Sequence, residues 1–202
     1  NVIKKNICID TIKNKIYNRN ICICRRIKMF KITKTMLTEE QIKAKVAELG
    51  KQIEKDFEGQ DLLVVGILKG ASVFVADLIR NINLDVNMDF MSVSSYGNAM
   101  ESSGSVKILK DLDVDIKDKN VLIVEDIIDS GLTLSNLTRE LQARGPKALK
   151  ICTLLDKPER RKADIPVDYV GFVIEDKFIV GYGIDYAEKY RNLPYIGIVE
   201  DV

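Results

Sequence analysis

Within the stretch VLIVEDIIDSGLTL, residues 121–134, three carboxylates fall inside five positions, Glu125, Asp126 and Asp129, and Gly131 follows closely. The adjacent pair Glu125 and Asp126 comes directly after the apolar run Val121-Leu122-Ile123-Val124. Two acids in that setting repel each other, and a cation, hydrogen-bond donors or ligand hydroxyls must offset the repulsion. The next residues, Asp129-Ser130-Gly131-Leu132-Thr133, open a segment in which Leu134, Leu137 and Leu141 recur at helical spacing. A helix N-terminus offers unpaired N–H groups and the positive end of a dipole. Gly131 lets the backbone approach an anion closely, and Ser130 and Thr133 add hydroxyl donors. A phosphorylated sugar carried with magnesium answers both halves of this pattern. An Asp or Ser before a helix is also an ordinary N-cap, so the loop alone decides nothing; the acid pair beside it shifts the balance. Neither the triphosphatase P-loop pattern nor GxGxxG is present, which disfavours ATP and dinucleotides.

These residues need a scaffold, and the surrounding patterns supply one. Val121–Val124 is mostly β-branched and unbroken, as in a strand buried on both faces of a parallel sheet. DLLVVGI (61–67) reads the same way, and ASVFVADLIRNI (71–82) reads as the helix after it. LDVNMDFMSVSSY (84–96) alternates in part and reads as a strand; VKIL (106–109), 148–155, 168–174 and 195–199 suit further strands. Ahead of them, MLTEEQIKAKVAELGKQIEKDFEG reads as a capped amphipathic helix. Thr38 and Gln41 form a capping box, and Ile42, Val46, Leu49, Ile53 and Phe57 line one face. Strands alternating with helices predict an α/β domain whose core sheet is mainly parallel and flanked by helices. Residues 97–105, GNAMESSGS, hold no apolar run and two glycines, and read as a mobile loop.

Composition narrows the chemistry. The 202 residues are 46% apolar, enough for a sizeable core, and contain no run of eighteen apolar residues that would span a membrane. Histidine is absent, which removes Ser-His-Asp and Cys-His catalysis and His-dependent zinc sites. Acid–base work falls to carboxylates, lysines or tyrosines. Of four cysteines, Cys8, Cys22 and Cys24 lie in the first 35 residues and Cys152 sits in the apolar run ALKICTLL, so no disulfide framework follows. Residues 1–35 carry seven Lys and three Arg against Asp10, a net +9, which leaves −8 for residues 36–202 within a total of +1.

The stretch VLIVEDIIDSGLTL resembles the phosphoribosyl-diphosphate motif of the type I phosphoribosyltransferases, and its spelling resembles the hypoxanthine-guanine branch of that family. The resemblance continues in order through GILKGA (66–71), SSYGN (94–98), LLDKPERR (154–161) and DKFIVGYGIDYAEKYRNLPYIG (176–197), and spans about Met36 to Val202. It implies the type I fold, with a small hood and a mobile lid over the parallel sheet. It also implies magnesium-dependent transfer of the phosphoribosyl group to N9 of hypoxanthine or guanine, a purine-salvage reaction of the cytoplasm. Residues 129–133 then hold the 5′-phosphate, while Glu125 and Asp126 engage the ribose hydroxyls beside magnesium. Asp129 stands near purine N7 as general base. Leu68, Lys69 and Gly70 resemble the pyrophosphate loop, where the family can hold a non-proline cis peptide. Arg191 resembles the second cation on pyrophosphate, and Asp185 a ligand of a second magnesium. Lys157 resembles the donor to the exocyclic 6-oxygen, a contact that rejects the 6-amino group of adenine. Phe178 resembles the stacking platform, Ile179 a source of backbone contacts to the base, and Ser95-Tyr96 the pair in the closing lid. Ser130 and Leu132 stand where some members carry Thr and Lys, as in the bacterial type.

Residues 1–35 read as a basic extension outside the fold, best explained as sequence upstream of a start at Met36; a transit peptide or a nucleic-acid-binding arm are the other readings. A homodimer or homotetramer is expected from the resemblance. Two other functions are carried forward: a related transferase preferring xanthine, and a regulator that senses phosphoribosyl diphosphate while binding nucleic acid.

Overall fold

The structure is a computed structural model that describes residues 30–94 and 106–201. Its elements in chain order are β1 (Phe30–Leu37), α1 (Glu39–Asp56), β2 (Leu62–Leu68), α2 (Ser72–Ile79), β3 (Val86–Ser94) and β4 (Lys107–Lys110). They continue with β5 (Asn120–Ile128), α3 (Leu132–Ala143), β6 (Ala148–Asp156), β7 (Tyr169–Val173), β8 (Ile179–Val180) and β9 (Ile196–Asp201). Six strands form the main sheet in the order β4-β3-β2-β5-β6-β7, parallel throughout except for β4 at the edge. The order β1-β9-β8 makes a smaller antiparallel sheet, where the resemblance implies a hood.

The central strands are continuous apolar runs because both of their faces are covered. Successive side chains of a strand point to opposite faces. Accordingly Leu62 and Val64 of β2 and Leu122 and Val124 of β5 pack with Ile42, Leu49, Phe74 and Leu78 of α1 and α2. Leu63, Val65, Val121 and Ile123 pack instead with Leu134, Leu137 and Leu141 of α3. Cys152 is buried in the first of these clusters, as its apolar context predicts.

The start of α1 follows the sequence closely. Gln41 N–H donates to Thr38 Oγ1 at 3.3 Å and Thr38 N–H donates to Gln41 Oε1 at 2.9 Å, and Ile42, Val46, Leu49, Ile53 and Phe57 are all buried.

Four boundaries differ from the sequence reading. Strand β1 begins at Phe30 and pairs with β9, so the boundary set at Met36 falls inside an element. The charge step near residue 35 marks composition, and a surface strand tolerates lysines between its pairing groups. Residues 1–29, with Cys8, Cys22 and Cys24, lie outside the described residues. Helix α2 stops at Ile79, short of Ile82, and α3 starts at Leu132 behind Gly131, which takes a left-handed φ of 73°. Strand β5 runs on to Ile128, with Glu125 opposite Thr153 and Ile128 opposite Asp156, so the acid pair belongs to the ladder and does not follow it.

Candidate active site

Parallel strands bring their C-terminal ends to one edge of a sheet, and the segments that follow β2, β5 and β6 meet there. Between them lies a cleft of about 260 Å³ lined by Gly70, Val93, the span Glu125–Gly131 and Thr133. Glu125 Oε2 is buried with no hydrogen-bond partner, and burial, with the Asp126 charge beside it, pushes the Glu125 carboxyl well above the usual carboxylate range. Burial likewise raises Asp126 to about 6, although Ile127 N–H donates to its Oδ1 at 2.9 Å. An acid pair with an orphaned oxygen is short of positive charge. The hard oxygen donors of Glu125 and Asp126 therefore fit a magnesium ion, which takes one or two protein carboxylates and fills its shell with substrate and water. Among the described residues no three metal-ligating side chains converge.

The anion loop is shaped from behind. Ser130 C=O accepts from Lys162 N–H at 2.9 Å and Ala163 N–H at 3.1 Å, which ties the segment after β6 to the loop. Gly131 is glycine for its left-handed φ, and a Cβ there would lie 3.1 Å from Arg161 Cδ, a tight contact that the arginine side chain would have to yield. Leu132 N–H, the first of α3, donates to Ser130 Oγ at 3.4 Å, and the next N–H groups of the helix, those of Thr133 and Leu134, have no acceptor within it.

Beside the loop, Lys157 is only 4% exposed. Its ammonium donates to Lys177 C=O at 2.7 Å and lies 3.6 Å from both Asp129 Oδ1 and Asp176 Oδ1. At 3.6 Å the Asp129 contact is an ion pair without a hydrogen bond, and Asp129 Oδ1 is a buried acceptor with unused capacity. Phe178 is half exposed and meets Tyr186 edge to face, with ring centroids 5.4 Å apart, while Ile179 is buried in the small sheet.

On the opposite side, Leu68-Lys69 is a cis peptide. A Cβ on Gly70 would overlap the Asp126 carboxylate, and a Cβ on Gly183 would overlap Gly70 C=O. Two loops are thus packed backbone to backbone against the acid pair. Arg191 donates to Gly183 C=O at 2.8 Å and pairs with Asp185 at 2.8 Å; Lys69 reaches across to Glu188 at 3.0 Å.

Comparison with known proteins explains why these parts occur together. The Phosphoribosyl transferase domain model matches residues 33–187. The chain belongs to the phosphoribosyltransferase family. It is 55% identical over 169 residues to the hypoxanthine-guanine phosphoribosyltransferase of Bacillus subtilis, covering 84% of this chain and 94% of that protein. It is 56% identical over 166 residues to the hypoxanthine phosphoribosyltransferase of Escherichia coli K12, covering 81% and 93%. A crystal structure of a hypoxanthine-guanine phosphoribosyltransferase from Bacillus anthracis superposes with a TM-score of 0.81 at 61% identity, covering 84% of this chain and all of that one.

In this phosphoribosyltransferase, the residues singled out from the sequence fall into three groups. Leu68, Gly70, Glu125, Asp126, Asp129, Ser130, Gly131 and Thr133 line the cleft. Lys157, Phe178 and Ile179 belong to the segments after β6 and around β8, and Lys69, Asp185 and Arg191 to the two packed loops. Leu132 is exposed, and its N–H donates to Ser130 Oγ at 3.4 Å. Ser95 and Tyr96 lie outside the described residues, as does most of the expected lid. Sequence reasoning missed Asp176, Glu188 and Arg161. Asp176 flanks Lys157, Glu188 pairs with Lys69, and Arg161 pairs with Asp156 while covering Gly131. Asp176 and Glu188 stand in a stretch singled out for other residues, and only the folded chain shows that each carboxylate faces a candidate cation.

Proposed function

We propose that this phosphoribosyltransferase catalyses magnesium-dependent transfer of the 5-phosphoribosyl group from phosphoribosyl diphosphate to N9 of hypoxanthine or guanine, giving IMP or GMP and pyrophosphate. The observation that carries the base assignment is the buried Lys157 ammonium beside Asp129, a residue of the cleft whose other parts suit a phosphate and a ribose. An ammonium donates and cannot accept, so it favours a 6-oxo purine over a 6-amino purine.

In the proposed reaction the bond from the anomeric carbon to the diphosphate oxygen breaks, the bond from that carbon to purine N9 forms, and the proton leaving the base passes to Asp129. The N-terminus of α3 with Ser130 and Thr133 holds the 5′-phosphate. Glu125 and Asp126 accept from the ribose hydroxyls and would hold magnesium, with Asp185 on the neighbouring loop serving a second ion. Bound magnesium supplies positive charge that stabilises the departing diphosphate. Lys69 and Arg191 add fixed cations there. Phe178 stacks on the purine and Ile179 meets its edge through backbone groups. Closure of the segment containing Ser95 and Tyr96 excludes water from the ribosyl centre. A homodimer or homotetramer in the cytoplasm belongs to the same proposal, with sedimentation velocity as the measure of assembly. Among the described residues no helix is long and apolar enough to cross a membrane.

The test is nucleotide formation from phosphoribosyl diphosphate and Mg²⁺ with hypoxanthine, guanine, xanthine and adenine in separate reactions. IMP and GMP without AMP are expected. XMP as the main product would replace the proposal with a xanthine-preferring enzyme. Tight phosphoribosyl diphosphate binding with no nucleotide from any base would replace it with the regulator.

A further inference from the structure

Lys69 and Arg191, the cations assigned above to the diphosphate, come from different loops, yet they share one partner. Glu188 Oε2 lies 3.0 Å from Lys69 Nζ and 3.5 Å from Arg191 Nη2. A single carboxylate oxygen between two cations makes the kind of contact that a diphosphate oxygen would make. The turn that carries it is unusual: Ala187 and Glu188 are both left-handed, with φ of 50° and 64°, and Glu188 N–H donates to Asp185 Oδ2 at 2.8 Å.

The contact is also built to yield. Glu188 and Lys69 are 66% and 67% exposed, and an exposed pair of this kind is weak. Arg191 keeps its bonds to Gly183 C=O and Asp185 when Glu188 leaves, so the subsite stays assembled.

We propose that Glu188 is a resident counter-ion of the diphosphate subsite, pairing with Lys69 and Arg191 while the subsite is empty and displaced by an entering diphosphate. The inference rests on the diphosphate assignment of the proposed function and adds to it a residue that sets the anion affinity. Because Glu188 competes for the same cations, it weakens binding of inorganic pyrophosphate and favours its departure after transfer.

The experiment is calorimetric titration of inorganic pyrophosphate, in the presence of Mg²⁺, into the wild-type protein, Glu188→Gln and the charge-matched control Glu58→Gln, whose residue is exposed just beyond α1. Glu188→Gln is expected to bind pyrophosphate about 3- to 10-fold more tightly than wild type, the scale of an exposed ion pair. Glu58→Gln is expected to stay within about 1.5-fold, since its charge is screened beyond a Debye length. The gain should shrink when Lys69→Gln is added, because the two side chains act as a pair. Equal affinities for Glu188→Gln and Glu58→Gln, or a fall in melting temperature with no gain in affinity, would overturn the counter-ion and leave the diphosphate reading standing. No saturable pyrophosphate binding by the wild-type protein would overturn the diphosphate subsite itself.

Discussion

In the proposed reaction the contact between Asp129 and Lys157 carries the chemistry, and its length matters. A buried acceptor held 3.6 Å from an ammonium is oriented by charge without being consumed by a hydrogen bond, which leaves it able to take a proton from a bound base. Asp129→Asn keeps the shape and removes the basicity. It should lower kcat by about 10²- to 10⁴-fold while the KM for phosphoribosyl diphosphate moves by less than about 3-fold; steady-state kinetics at saturating hypoxanthine measure both, and an unchanged kcat would remove the general-base role. The acid pair makes a separate prediction for metal-free protein in EDTA. Glu125 is raised well above its ordinary value and Asp126 to about 6, so the folded chain holds more protons than the unfolded chain once the pH passes the unfolded values near 4. The stability carried by the neutral carboxyls is present at low pH and is lost as the pH rises through about 6 and beyond. Asp126→Asn should therefore match wild type at pH 4 and exceed it at pH 8, by on the order of 1–2 kcal/mol. Chemical denaturation at the two pH values reads the difference, and a gap that does not change with pH would mean that the pair is not strained.

At the scale of elements, the site depends on loops that touch through their backbones. Gly183, at φ 97°, packs on Gly70 C=O, and Gly70 in turn packs on Asp126. Gly183→Ala combines a left-handed backbone with an overlap that only loop movement can relieve. It should cost about 1–3 kcal/mol of stability and raise the KM for phosphoribosyl diphosphate more than it lowers kcat, because it displaces Lys69 and Arg191 from their shared subsite. Near-normal melting and KM would show that the loops pack more loosely than their contacts imply. The same contacts mark the limit of what the sequence reveals. Strands β2 and β5 and helices α1 and α3 were legible because burial imposes a period of 2 or 3.6, and Thr38 and Gln41 announced a helix start through local hydrogen bonds. The cleft-lining span Glu125–Gly131 was legible because its chemistry is written in consecutive residues. Strand β1 was not, since its partner β9 lies more than 150 residues away in the chain and Lys34 interrupts the alternation of Phe30, Ile32 and Met36 with polar residues. The extension of β5 through Glu125 and Asp126 was also hidden, because ladder pairing with β6 overrides the dislike of strands for adjacent acids. Glu188 and Asp176 needed the fold, as the pairing of Glu188 with Lys69 spans 119 residues of sequence and Lys157 reaches Asp176 from a different element.

At the scale of the whole molecule, the proposed function divides one ligand among several elements that already touch, through the β2-β5-β6 ladder, the packing of Gly183 on Gly70 and the bonds to Ser130 C=O. In that proposal the phosphate goes to β5 and α3, the diphosphate to the turn after β2 and the 183–191 loop, and the base to the segments after β6 and around β8. All of them gather at the C-terminal edge of one parallel sheet, and residues 36–202 carry a net −8, so Lys69, Lys157, Arg191 and the α3 terminus supply the local positive charge that an anionic substrate needs there. Such a ligand should stabilise the native chain far beyond the sum of its separate contacts, since only the folded form brings the pieces together. With phosphoribosyl diphosphate at about 100 times its Kd, mass action adds about 2.7 kcal/mol. For a domain of this size each kcal/mol raises the melting temperature by about 2–4 °C, which gives a rise of about 5–11 °C. The same concentration in EDTA should give less than half of that rise, because Glu125 and Asp126 would then face the ligand without a cation between them. Differential scanning fluorimetry with and without Mg²⁺ makes the comparison. Equal shifts in both conditions would show that the acid pair binds the ribose without metal, and no shift in either would show that the divided site does not close on this ligand at all.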